Sequence, residues 1–160
     1  GVDGFGDARA GNVEGSEVRL SDFNHIDDLK GLSRSALHGR LRELGEAEAQ
    51  LATSKLTQAA GIASNILFLT HVPPFSEAVL YNEQPGDPDW LPYFTGVGVG
   101  EALLRFVDQH TNHHVLVLSG HTHHEALIKP RPNLEVRVGA AQYGRPSVKH
   151  LTLNTSPSVT

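Results

Sequence analysis

Ile66-Leu67-Phe68-Leu69-Thr70-His71-Val72-Pro73-Pro74 and Val115-Leu116-Val117-Leu118-Ser119-Gly120-His121-Thr122-His123-His124 share one layout: an unbroken apolar run, then a turn that carries histidine. Runs this short suit buried strands better than helices. The two prolines after His71 stop regular structure, and Gly120 lets the backbone turn closely before His121. Loops at the carboxyl ends of buried strands are the usual place for sites in layered α/β structures. If the two strands are neighbours, their loops converge and the imidazoles of His71, His121 and His123 meet. Two histidines at i and i+2 beside a strand end can project to one side, and imidazole is the commonest metal-binding side chain near neutral pH.

Around these strands the spacing predicts helices. Ser21 and the steps Phe23, Ile26, Leu29 give a helix near 22–31. Ser33 or Ser35 can cap a longer one, with Leu37, Leu41, Leu44, Ala47, Leu51 and Ala52 as its apolar stripe and Gly61 as its terminator. Ala102, Leu103, Phe106 and Val107 predict another helix from Val99 to His110. Short strands are expected at Glu125–Ile128, Leu134–Val138 and Val148–Leu153, separated by turn signals that include Pro130. The Gly-rich first 20 residues read as loop, and residues 82–96 as a long loop anchored by Trp90, Tyr93 and Phe94. Strands with helices between them define a layered α/β class.

Composition narrows the function. A net charge of -5 without clustered Lys and Arg argues against a nucleic-acid partner. There is no apolar run of membrane-spanning length and no secretory-type leader, so a cytoplasmic location without membrane contact is expected. The absence of Cys excludes disulfides, thiolate nucleophiles and Cys-based zinc sites. Of the 10 His, five lie between positions 110 and 123, with His124 directly after. His113 and His114 read as residues of a turn rather than ligands. Asn154-Thr155-Ser156 has the form of a glycosylation acceptor, without other signs of secretion.

Leu69-Thr70-His71-Val72-Pro73-Pro74, Gly120-His121-Thr122-His123, Asn133-Leu134 and Ala141-Gln142-Tyr143-Gly144-Arg145-Pro146 together resemble the C-terminal half of a calcineurin-like metallophosphoesterase. The opening Gly1–Arg9 is similar to a subgroup of its bacterial and fungal members, and the resemblance extends over residues 1–153, with 154–160 as a loose tail. It implies a sandwich of two mixed sheets flanked by helices, of which this chain supplies about one half. It also implies a dinuclear centre of two divalent ions (manganese, iron or zinc) acting on a small phosphoester. His71 and His121 would bind one metal and His123 the other, with His124 facing substrate. No residue of this chain is assigned a catalytic role.

The family's remaining ligands come from an N-terminal Asp-x-His, a bridging Asp in Gly-Asp and an Asn in Gly-Asn-His-Glu. No Asp-x-His is present here. Gly6-Asp7 and Gly11-Asn12-Val13-Glu14 imitate the other two, but they lie close together, and Val13 stands where the family has its acid His. Metal roles are therefore not carried over to Asp7 or Asn12. The expectation is that an N-terminal half is missing, that its place is taken by a partner or by self-association through an apolar face, and that the isolated chain has little or no activity. Two further readings remain open: an inactive metal-binding or interaction module that keeps the fold, and a mononuclear zinc hydrolase using the three histidines alone.

Overall fold

The structure, a computed structural model, describes residues 5–151. Its elements are the helices α1 (Asp22–His25), α2 (Arg34–Ala60), α3 (Leu91–Phe94) and α4 (Val97–Gln109), and the strands β1 (Asn65–Leu69), β2 (Leu80–Tyr81), β3 (Gln84–Pro85), β4 (His114–Ser119), β5 (Ala126–Arg131) and β6 (Leu134–Val138). A mixed four-stranded sheet runs in the order β1-β4-β6-β5, and β2-β3 form a separate hairpin. The chain is thus mixed α/β, with a single larger sheet among the described residues.

The two apolar runs are neighbours. β1 and β4 pair in parallel from Asn65↔His114 to Leu69↔Leu118. The pairing continues past their ends, where Thr70 N–H donates to Leu118 O at 3.1 Å and Gly120 N–H donates to His71 O at 2.9 Å. The two His-bearing loops therefore leave the sheet side by side. β6 joins β4 in parallel and β5 closes the sheet antiparallel to β6.

The core lies between one sheet face and the helices α2 and α4. Phe68, Val115, Val117, Leu134, Val136 and Val138 meet Ala52 and Leu56 of α2 and Val99, Leu103, Phe106 and Val107 of α4. A smaller cluster packs Ala8, Leu29, Leu37, Leu41 and Tyr93, tying the N-terminal loops to the first half of α2. The other face of the sheet is open, with Leu67, Leu69 and Leu127 at 44%, 50% and 60% exposure.

Several expectations change. The helix expected near 22–31 closes after Asp22–His25, and the chain then turns to Gly31 at φ +73°. Ser21 stands at its start without capping through its side chain, whereas Ser33 does cap α2, accepting from Ala36 N–H at 3.3 Å. The buried line of α2 runs through Leu37, Leu41, Gly45, Ala49, Ala52 and Leu56. Ala47 and Leu51 are exposed. β5 runs through Pro130 instead of stopping there, because it is an edge strand with a register shift between Ile128 and Arg131, where the missing N–H is tolerated. Val148–Leu151 form no strand; Val148 is 83% exposed and pairs with no strand among the described residues. The rest of that segment, the 154–160 tail and Asn154-Thr155-Ser156 lie outside the described residues. The 82–96 loop contains β3 and α3.

Candidate metal centre

Where the β1 and β4 loops meet, His121 Nδ1 lies 3.0 Å from His71 Nε2. The rings stand edge to face, with centroids 4.8 Å apart. Two nitrogens held about 2.0–2.1 Å from one ion at angles between square and tetrahedral are themselves about 3 Å apart. Without an ion the same spacing is a hydrogen bond between two imidazoles.

The backbone bears a conformational cost to present these rings. His121 has φ +66° and His123 φ +60°. Non-glycine residues rarely occupy this region, and each such residue costs on the order of 1–3 kcal/mol. Alternate positions in this turn place both rings toward the same cavity, of about 450 Å³, which His71 also lines.

His121 is kept neutral. Burial is the chief cause, with the nearby charges of His71 and His123 adding to it, and together they push its pKa down to about 4 against a partial counter-effect from Asp22. A neutral imidazole is the form that binds metal. Its Nε2 is buried and has no hydrogen-bond partner of good geometry, although the Tyr93 backbone is close enough to act on it electrostatically. Phe94, at the end of α3, packs on the ring at 4.3 Å between centroids.

The other expected residues separate. His123 lines the same cavity but packs against Tyr143 at 4.8 Å. The structure therefore brings together a pair, His71 and His121, and not a trio: among the described residues no group of three His, Asp or Glu side chains is arranged to hold one ion. His124 is absent from the cavity lining and turns toward the β2-β3 hairpin, its ring 4.7 Å from Tyr81 and its Nδ1 accepting from Asn82 N–H at 3.4 Å. It does not face the cavity as expected, because with His123 at positive φ the chain has already turned away.

Asp7 and Asn12 have other work. The buried Asp7 carboxylate accepts from Gly98 N–H at 2.7 Å in the first turn of α4, and burial raises its pKa. Asn12 accepts from Gly15 N–H at 3.1 Å and donates to Asp89 at 2.7 Å. Neither lines the His cavity. His113 lies near Ala60 O, at 3.3 Å, in the turn before β4, and His114 begins that strand.

Sequence reasoning missed Asp22, and it named Phe94 only as a loop anchor and Tyr143 only within the resemblance. Asp22 lines the cavity and its charge acts on His121. The residues Ser21-Asp22-Phe23 carried only a helix-start signal; nothing local marks Asp22 as a neighbour of a loop so distant in sequence. Comparison with protein-family models, curated proteins and solved structures gives no match.

Proposed function

We propose that this chain is the His-bearing part of a metal-dependent phosphoesterase. The observation that supports the reading best is the 3.0 Å approach of His71 Nε2 and His121 Nδ1 at the ends of adjacent parallel strands. In this reading His71 and His121 hold one divalent ion (manganese, iron or zinc) and His123, across the same cavity, contributes to a second. When bound, such ions polarise a phosphoryl group and lower the pKa of water.

The chain's own residues prepare the site. Burial keeps His121 unprotonated. Phe94 and Tyr93 limit water around it. Asp22 is the one carboxylate among the described residues that line this cavity. A single exposed carboxylate does not offset two dications, so the reading requires bridging carboxylates from polypeptide beyond these 160 residues. In the completed domain the open face bearing Leu67, Leu69 and Leu127 would meet a second mixed sheet. His124, turned to the hairpin, supports the wall of the site rather than touching the phosphoryl group.

A second reading, an inactive metal-binding module, has its own support: no third ligand joins the His pair among the described residues. Phosphate release from an aryl phosphate under saturating manganese separates the two. The 160-residue chain should turn over scarcely or not at all. A chain extended by Asp-x-His, Gly-Asp and Gly-Asn-His segments should gain several orders of magnitude, the scale of preorganised electrostatic catalysis, and lose it with His71→Ala. No turnover by the extended chain on any phosphoester would favour the module.

A further inference from the structure

A second cavity, of about 1040 Å³, lies beside the His cavity and shares Trp90 and Phe94 with it. Phe94 is the partition: its ring is 4.3 Å from that of His121 on one side and 5.4 Å from that of Trp90 on the other. Beyond it the wall continues through Tyr81, Pro85 and Pro88. Trp90 and Tyr81 remain 43% and 64% exposed, an unusual outlay of aromatic surface beside a polar site. Asp87 is the single Asp, Glu, Lys, Arg or His among the described residues of this lining, and its carboxylate already accepts from Asp89 N–H at 2.9 Å.

The outer wall is held in place. Tyr81 and Gln84 end the two strands of the β2-β3 hairpin, whose loop residues Asn82 and Glu83 take φ +48° and +64°. That is the left-handed pair a two-residue hairpin loop requires. His124 packs edge-on against Tyr81 and fixes the hairpin to the loop that carries His121 and His123.

We propose that this second cavity seats the leaving group of the phosphoester, and that the group is uncharged and aromatic. The proposal rests on the phosphoesterase reading of the adjacent His cavity. Flat rings and prolines offer stacking surface to a flat group, and Asn82, Gln84 and Thr122 of the same lining can meet polar substituents on its ring. The absence of any Lys or Arg from the described lining leaves nothing to neutralise a second phosphate, so a substrate with a polyphosphate tail does not fit. The cleaved bond would lie at Phe94, with phosphorus toward His71 and His121 and the aryl oxygen toward Trp90.

Trp90 is the only tryptophan of the chain and reports occupancy of either cavity, while Tyr81, which lines the second cavity and not the first, assigns the signal. The zinc-loaded 160-residue chain would be titrated with p-nitrobenzylphosphonate, p-nitrobenzyl alcohol and methylphosphonate. Trp90 quenching is the readout for the first two, and calorimetry for all three. The aryl phosphonate should quench Trp90 and bind at least about ten-fold tighter than either fragment. Tyr81→Ala, and Trp90→Leu followed by calorimetry, should each weaken it by about three- to ten-fold. Both side chains are exposed enough for the fold to survive their loss. His71→Ala should remove the advantage of the phosphonate over the alcohol and leave weak quenching by the alcohol. If both phosphonates bind equally, depend on His71 and ignore Tyr81→Ala and Trp90→Leu, the leaving-group proposal is overturned while the phosphoester reading stands. If the alcohol binds as tightly as its phosphonate and neither depends on His71, the proposal and the phosphoester reading fall together.

Discussion

His121 combines a left-handed backbone, a half-buried ring and a neighbouring imidazole within one residue, and the chain pays for each. Its titration has a readable sign. In the metal-free fold its pKa is about 4, against about 6.5 when unfolded, so between these values the unfolded state binds more protons. Stability is therefore full above about pH 6.5, falls as pH drops toward 4, and levels off below. His38, buried against the Tyr93 hydroxyl at 3.0 Å with its pKa also lowered, adds a loss of the same sign. Thermal unfolding of the metal-free chain from pH 7.5 to 4.5 measures the slope, and His121→Ala should flatten it; an unchanged slope would count against a half-buried neutral ring. Asp7 gives the converse test. Asp7→Ala removes the acceptor for Gly98 N–H and should lower stability by about 1 kcal/mol, while zinc affinity by calorimetry stays the same. The His pair was legible because its chemistry follows directly on two strand ends. Its neighbours Asp22 and Phe94 were not legible as such, since they reach the cavity only through the tertiary path of the chain.

The strands were legible as elements, but the buried strand expected at Ile66–Leu69 is an edge strand in which Phe68 alone is buried. Where the reading failed, tertiary context decided. The α2 stripe was drawn through Ala47 and Leu51 because they are apolar, yet the helix buries Gly45 and Ala49. Gly45 faces the helix-capping Asp7: a Cβ built there would lie 2.4 Å from Asp7 Cβ. Gly45→Ala, normally favourable within a helix, should instead cost about 1–3 kcal/mol by forcing α2 away from Asp7; a rise in the unfolding midpoint would contradict this close approach. α4 is the other half of the helical layer, and its Leu103 is 0% exposed between α2 and the sheet. Leu103→Ala should cost about 2–5 kcal/mol in denaturant unfolding. Val148–Leu151 had the alternation of a strand and no strand to pair with among the described residues, a condition that no local pattern encodes.

At the scale of the whole molecule, helices cover one face of the sheet and leave Leu67, Leu69 and Leu127 open on the other. β1 is also an edge strand, paired with β4 alone. Apolar surface beside an unpaired edge invites association. The isolated chain should sediment with a concentration-dependent mass that falls toward the monomer with Leu67→Glu and Leu69→Glu together; a monodisperse monomer at all concentrations would contradict the expectation of a covered face. Among the described residues no helix is long and apolar enough to cross a membrane. The parallel β1–β4 pairing brings the two His-bearing loops together, so the proposed metal centre would be a property of the sheet as much as of its side chains. The most direct test of that centre is a calorimetric zinc titration at pH 7.5. The His71–His121 pair predicts a saturable site whose affinity falls at least about ten-fold with either His71→Ala or His121→Ala, and by a similar factor for the two together, since the ligands act as one. Equal zinc affinity in the wild-type chain and both single variants would contradict it.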